Sequence, residues 1–164
     1  MRSQIYVIDD WSDSDHLHKL DGPLASLMCR GRHMHAGVIL STQKLSKLST
    51  VSRCNANMAS VFAFHSHQDA EMFINEYGAL ASEEGKDGRD NLRRLLAYAT
   101  REPHSFLTIL FKNPPEKRFM LRFESYLTIN YDRGEPGAGD SHGGAERANH
   151  ASQPAPVSVL PLPR

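Results

Sequence analysis

Three short apolar runs, each followed by polar residues, define the pattern of the first part of the chain. They cover residues 5–8, 37–42 and 60–65. None of the three alternates between apolar and polar positions, and such uninterrupted runs are typical of strands that are buried on both faces. The pattern therefore predicts three short strands in the interior of a sheet.

Segments with helical periodicity separate and follow these runs. One begins at Pro23 and ends at Gly31. A second begins at Ser66, which with Asp69 resembles a capping box, and it ends at Gly78. Strands that alternate with helices favour βαβ units. We therefore expect an α/β fold with three layers, built around a mostly parallel sheet.

The last apolar runs predict a C-terminal β-hairpin. They follow a helix that Asp90 caps, cover residues 105–111 and 118–123, and are joined by the Pro-rich turn KNPPEK. The rest of the chain is dense in Gly, Pro, Ala and Ser. Because such a composition cannot compensate for the entropy lost on ordering, we expect one folded domain at 1–132 and a disordered tail at 133–164.

Composition narrows the class of protein. The chain has 164 residues, of which 40% are hydrophobic and 23% charged, as in a single ordinary domain. No apolar run reaches the length of a bilayer span, so we expect no membrane partner. The 2 cysteines are too few for a disulfide framework and favour a reducing compartment such as the cytoplasm.

The charges are unevenly distributed, although the formal net charge is zero. Residues 22–66 contain no Asp or Glu. The basic residues and histidines of this segment are Arg30, Arg32, His33, His35, Lys44, Lys47, Arg53 and His65. A stretch without carboxylates creates a local positive field that attracts phosphate, as in duplex DNA. The alternative is a solvated surface that acids elsewhere in the fold neutralise.

Polar side chains follow each of the three predicted strands. Asp9 and Asp10 come after the first apolar run and Gln43 after the second, while His65 ends the third. In parallel sheets the chemistry lies beyond the carboxyl ends of the strands. One acid there binds Mg²⁺ through a water molecule, the next orients or deprotonates an attacking water, and the glutamine holds that water. The alternatives are an acidic loop and a surface glutamine.

Two arginines are candidates for contact with a phosphate. The guanidinium groups of Arg32 and Arg53 offer paired donors to phosphate oxygens. In a ring-shaped ATPase, such a group reaches the nucleotide of a neighbouring subunit as an arginine finger. A solvated side chain or a structural ion pair is the alternative for each, and the sequence does not choose between the two residues.

Four blocks in this order resemble the C-terminal half of an FtsK/HerA-type P-loop ATPase: IYVIDD, GRHMHAGVILSTQKLSKLS, SRCNANMASVFAF and QDAEMFINEYGAL. Within that superfamily they are most similar to the DNA-packaging ATPases of poxviruses and other large DNA viruses. The later segment PHSFLTILFKNPPEKRFMLRF is similar to the closing hairpin of the family. The resemblance covers residues 4–125 and implies part of a RecA-like P-loop fold.

The resemblance also implies roles for single residues. Asp9 corresponds to the Walker B acid that holds Mg²⁺ through water, Asp10 to the catalytic acid and Gln43 to the sensor glutamine. Arg32 or Arg53 corresponds to the finger or intersubunit arginine. The implied activity is ATP hydrolysis that drives duplex DNA into a capsid. The implied partners are duplex DNA and a homo-oligomeric ring, and the implied location is a cytoplasmic viral factory or the virion.

The phosphate-binding half of such a site is absent from the sequence. No G-x-x-x-x-G-K-[ST] motif occurs, so no Walker A lysine meets the β- and γ-phosphates. Only four residues precede Ile5. We therefore expect the Walker B part of a larger ATPase, whether a fragment, a split gene product or a degenerate paralogue, that is inactive alone. ATP and Mg²⁺ would bind only when a Walker A segment, such as a missing N-terminal half, is supplied.

Two other functions fit the same residues. The first is a non-catalytic module, derived from that fold, that binds DNA or ring partners. The second is a fragment of a cellular FtsK/HerA-type translocase. The block GRHMH…STQ favours the viral interpretation over the cellular one.

Overall fold

The structure, a computed structural model, describes residues 3–9, 19–82, 88–129 and 156–162. In these ranges the chain has a mixed α/β fold with helices and two separate sheets. None of the helices in the described ranges is long and apolar enough to cross a membrane. The predicted mixture of helices and strands is therefore confirmed, whereas the arrangement of the strands differs from the prediction.

Sheet A consists of two parallel strands, β1 (Gln4–Ile8) and β2 (Ala36–Leu40). The register sets Val7 opposite Ile39 and Ile8 opposite Leu40. Helix α1 (Pro23–Arg30) connects the strands and packs against β2. Pro23 begins this helix and Gly31 caps it, as predicted, because proline has the φ angle of a first helical turn. The two predicted strands and their connecting helix thus form a βαβ unit.

Sheet B has five strands in the order β3-β4-β5-β6-β7, and every neighbouring pair is antiparallel. The predicted hairpin is confirmed, because β4 and β5 pair across the Pro-rich turn. The strands of this sheet are β3 (Met58–Val61), β4 (Leu107–Leu110), β5 (Phe119–Leu121), β6 (Ser125–Ile129) and β7 (Val157–Pro161).

The core lies between sheet B and two helices. Helix α3 (His67–Tyr77) begins after Ser66, whose hydroxyl accepts a hydrogen bond from the Asp69 amide, and ends at Gly78. Helix α4 (Gly88–Ala99) follows, and a short helix, α2 (Thr50–Cys54), precedes β3. The core side chains are Phe73, Ile74, Ala81, Leu92, Leu95, Ala99, Leu107, Ile109, Phe119 and Leu127.

Two glycines allow the end of α3 and the start of α4 to touch. Both Gly78 and Gly88 are buried. A Cβ atom on Gly88 would lie 2.7 Å from the Ser82 amide nitrogen and closer still to the Gly78 carbonyl oxygen. A Cβ on Gly78 would lie 3.1 Å from the Arg89 Cα. Because these neighbours are mostly backbone atoms, they cannot move aside for a larger residue.

The third strand does not join a parallel sheet with the first two. The run at 60–65 was expected beside β1 and β2, but strand β3 pairs antiparallel with β4, with Val61 opposite Leu107. The physical reason for the error is that an apolar run indicates burial but not a partner. Strand β4 contains no charged residue and provides cross-strand neighbours for β3. In the described ranges the parallel part of the fold is therefore confined to sheet A.

Two further predictions differ from the structure. Strand β1 was expected to be buried on both faces, but Ile5 and Val7 are 71% and 69% exposed, because β2 is its single neighbour among the described strands. Part of the predicted disordered tail is a strand, since β7 pairs with β6 along its whole length. Backbone hydrogen bonds to the edge of β6 offset the conformational entropy that this segment loses on ordering. Its amino-acid composition alone gives no sign of these bonds. The prediction for residues 130–155 lies outside the described ranges.

Candidate functional site

The carboxyl ends of β1 and β2 bring two predicted site residues to one edge of sheet A. The Ser41 amide donates a hydrogen bond to the Ile8 carbonyl at 2.9 Å, which extends the parallel ladder by one residue beyond β2. Asp9 follows Ile8 directly, and Gln43 lies two residues after Ser41. Both side chains are exposed. An acid and an amide thus lie at the edge where the sequence places them.

The loop that carries Gln43 is held from both sides. The Lys44 amide donates to the Thr42 hydroxyl at 3.3 Å, which closes a tight local turn around Gln43. The buried Asp69 carboxylate accepts a hydrogen bond from the Ser46 amide at 3.1 Å, so the start of α3 fixes the segment behind this turn. The sequence assigned Asp69 to a helix cap and missed this contact, because its partner lies 23 residues away and no local pattern reveals it.

One of the two acids predicted at the Mg²⁺ site has a described position. Asp10 lies outside the described ranges, so Asp9 is the acid whose position is known. Among the described residues no group of three or more His, Cys, Asp or Glu is arranged to hold a metal ion. Mg²⁺ needs no such group, since one or two carboxylates, water and the phosphates of a nucleotide complete its shell. The phosphate cradle itself has no counterpart in the sequence.

The backbone of Arg32 lies at the opposite end of sheet A from Asp9. Arg32 belongs to the 3₁₀ turn Gly31–Met34, which precedes β2. The Gln4 amide donates to the His35 carbonyl at 3.1 Å, which places this turn at the amino ends of both strands. A five-residue strand separates the two ends by about 16 Å. Arg32 is therefore positioned away from the Asp9 edge of its own chain.

Arg53 is held by contacts within the chain. Its Nε lies 2.9 Å from both carboxylate oxygens of Glu76, and its guanidinium also donates to the Leu48 carbonyl and the Thr50 hydroxyl. The Arg53 and Glu76 side chains are only 11% and 23% exposed. This ion pair joins α2 to α3, which is the structural role that the sequence left open for an arginine.

Tyr77 lies beside this ion pair in a row of aromatic rings. Its ring centroid is 5.3 Å from those of Phe73 and Phe111. Burial of the phenol, reinforced by the negative charge of Glu76, raises the pKa of Tyr77 well above its usual range, although Arg53 acts in the opposite direction. The neutral phenol is therefore the form that the folded chain stabilises.

Basic side chains of the acid-free segment remain accessible. Arg30 and Lys44 are exposed and Lys47 is half-buried. None of the three forms an ion pair with another residue in the described ranges. Arg53 differs from them, since Glu76 neutralises it. His65 follows β3 and thus belongs to the neighbourhood of sheet B, not to the edge of sheet A that carries Asp9.

Comparison with known proteins adds no family assignment. No protein-family model, no curated protein and no solved structure matches the chain.

Proposed function

We propose that this chain is the Walker B portion of an ATP-driven DNA translocase of the viral DNA-packaging type. The observation that carries the proposal is the parallel register of β1 and β2, which sets Ile8 opposite Leu40. Because of this register, Asp9 and Gln43 follow neighbouring strands at the same edge of sheet A. An acid can hold Mg²⁺ through water and a glutamine can orient an attacking water, so residues of these two types at one edge support nucleotide hydrolysis.

We assign a separate role in hydrolysis to each of Asp9, Asp10 and Gln43. Asp9 holds a water molecule of the Mg²⁺ shell, Asp10 accepts the proton of the attacking water, and Gln43 orients that water. Asp9 and Gln43 are exposed, so a phosphate group can approach them from outside the chain. Arg53 is committed to Glu76, which leaves Arg32 as the better candidate for a finger. Since Arg32 lies at the far end of sheet A, it would act on a neighbouring subunit.

The exposure of strand β1 supports the proposal that sheet A belongs to a larger sheet. Ile5, Val7 and Ile39 lie on one face of sheet A, because paired residues of parallel strands point to the same side. All three are more than half exposed. An exposed apolar face of this kind, which no other described strand covers, is typical of a surface that packs against a partner. We propose that sheet A is part of a mostly parallel P-loop sheet, whose other strands and Walker A motif come with the missing phosphate-binding segment.

The decisive experiment supplies that segment. The coding sequence upstream of Met1 would be determined, and any frame encoding a strand followed by G-x-x-x-x-G-K-[ST] would be co-expressed with this chain. We expect Mg²⁺-dependent ATP hydrolysis from the complex and none from the chain alone. Asp10→Asn should abolish this activity, whereas Asp13→Asn, another acid nearby in the sequence, should not. Robust turnover by the isolated chain, or an upstream sequence without such a motif, would contradict the proposal.

A second candidate function rests on the accessible cations. Arg30, Lys44 and Lys47 carry positive charge, and the segment 22–66 that contains them has no carboxylate to neutralise it. A non-catalytic module that binds duplex DNA would use these side chains on backbone phosphates. The logarithm of the binding constant for duplex DNA falls linearly with the logarithm of the salt concentration. The slope is roughly −0.9 for each phosphate contacted.

Salt titration distinguishes this candidate. A fluorescent duplex would be titrated with the chain at several salt concentrations. If these residues contact phosphates, we expect the salt dependence to become shallower, with the magnitude of the slope smaller by about one for each variant. The variants are Arg30→Gln, Lys44→Gln and Lys47→Gln. Lys112→Gln, an exposed cation outside the acid-free segment, is the matched control. No binding at low salt, or equal slopes for all variants, would exclude a DNA contact by this segment.

A further inference from the structure

Strand β7 is attached to the rest of the molecule at one edge. Among the described strands it pairs with β6 alone, and it ends the order of sheet B. Val157 packs against the core, whereas Val159 and Leu160 are 41% and 47% exposed. None of its five residues is fully buried. Within the described residues, the strand is therefore held by its backbone pairing with β6 and by the apolar contact of Val157.

The connection between β6 and β7 is far longer than a hairpin needs. Ile129 lies opposite Val157, so roughly 27 residues join two positions that a turn of two to five residues could connect. A connection of this length is long enough for β7 to reach β6 of its own chain or β6 of another copy. The same hydrogen bonds and the same Val157 contact form whether β7 comes from its own chain or from another copy. The two arrangements then differ chiefly in the concentration of β7 that β6 meets, which is set by the connection within one chain and by the protein concentration between two chains.

We propose that β6 is an acceptor edge for a strand and that two copies of this chain exchange β7 across it. In the exchanged dimer each copy gives its own β7 and receives that of its partner. The contacts of the monomer are thereby kept, and the interface is reciprocal and closed. This inference concerns sheet B alone and does not rest on the proposed ATPase function.

The sequence of β7 suits a strand that is donated once. Prolines flank its apolar residues, at Pro154 and Pro156 before the strand and at Pro161 and Pro163 at its end. A proline has no amide hydrogen to offer a further strand, so the outer edge of β7 is poorly suited to continue the sheet. We therefore expect pairs of chains and not fibres. Neither β6 nor β7 contains a charged residue, so exchange should be insensitive to salt.

A disulfide between opposite residues of β6 and β7 would trap the exchange in the full-length chain. One variant carries Ile129→Cys and a second, mass-tagged variant carries Val157→Cys, both with Cys29→Ser and Cys54→Ser. Opposite residues of antiparallel strands have Cα atoms about 4.5–5.5 Å apart, within the range of a disulfide. The two variants would be mixed at total concentrations from about 10 μM to about 1 mM, and glutathione disulfide would then oxidise the thiols. The upper concentration approaches the millimolar effective concentration of a tethered segment. We expect a covalent heterodimer whose fraction rises at least about tenfold over this range.

Three controls make the outcome decisive. Each variant alone measures random collision, and Thr128→Cys mixed with Val157→Cys measures thiols on opposite faces of the sheet, which should not join. The double variant Ile129→Cys/Val157→Cys should close within one chain at low concentration. No heterodimer above these backgrounds at the highest concentration would overturn the exchange. Failure of the double variant to close would overturn the β6–β7 pairing on which the proposal depends.

Discussion

The two sheets of this chain differ in how much they bury. Sheet B packs against α3 and α4, and its interior strand β4 has Leu107, Thr108 and Ile109 fully buried. Sheet A has no fully buried residue in either strand. The sheet that carries the candidate chemistry therefore contributes little to the core, and the sheet that carries the core has no predicted catalytic residue. Stability and proposed function lie in separate parts of the chain.

The largest expected difference between the sheets is in hydrogen exchange. Amides in well-packed strands exchange only through global unfolding, whereas those in poorly packed strands exchange through local opening at much lower free energy. We expect β4 amides to exchange at least about 1,000-fold more slowly than those of β2, after correction for intrinsic rates. Native-state exchange followed by NMR would measure this ratio. Equal protection of both strands would show that the sheets unfold as one unit.

Truncation of matching isoleucines compares the packing of the two sheets directly. Ile109 is 0% exposed in β4, and Ile39 is 59% exposed in β2. Ile109→Ala removes buried methyl groups and leaves a cavity, so we expect it to lower the free energy of unfolding by about 2–5 kcal/mol. Ile39→Ala should cost less than about 1 kcal/mol. Urea denaturation of both variants measures the values, and a comparable loss would mean that sheet A is covered in solution.

Two arginines near α3 allow a similar comparison of ion pairs. Arg53→Ala leaves Glu76 and the Leu48 carbonyl without their partner in a largely buried position, and we expect a loss of about 1–3 kcal/mol. Arg93 pairs with Glu71 and Asp90 on the surface, where water solvates all three groups. Arg93→Ala should therefore have a much smaller effect in the same denaturation assay. A larger loss for Arg93 would refute the structural role given to Arg53.

The smallest expected effect concerns alkaline pH. Because the pKa of Tyr77 is raised above its ordinary value of 10.0, the unfolded chain loses this proton at a lower pH than the folded chain. The contribution is fully present below pH 10 and is lost as pH rises towards the folded pKa. Tyr77→Phe should flatten the decrease of stability between about pH 9.5 and 11. An unchanged dependence of stability on pH would contradict the role given to Tyr77. The variant Tyr6→Phe is the control for loss of an exposed phenol.

Local signals in the sequence were sufficient for single elements. Pro23 and Gly31 bounded α1, Ser66 and Gly78 bounded α3, and the Pro-rich turn predicted the pairing of β4 with β5. These features depend on neighbours a few residues apart, so a local pattern reveals them. The position of Asp9 and Gln43 after two neighbouring parallel strands also followed, since carboxyl ends of adjacent parallel strands meet at one edge.

Long-range choices could not be read in the same way. Strand β3 pairs with β4 and not with sheet A, and an apolar run carries no sign of which strand it will join. Strand β7 formed because β6 offered an edge, in a region whose composition favours disorder. The Arg53–Glu76 pair joins residues 23 positions apart, so an arginine that looked like a phosphate ligand is structural.

The contact between Gly78 and Gly88 has a consequence for how this protein can diverge. A side chain at Gly88 would strike the Ser82 amide and the Gly78 carbonyl, so selection at this position acts on folding, independently of any activity. We expect copies of the gene that lose Asp9 to fold, because this residue is exposed, whereas a side chain at Gly88 would obstruct the packing of α3 against α4. In a lineage of inactive descendants, the glycines should outlast the acids. Their retention without the acids would mark a protein kept for its shape alone.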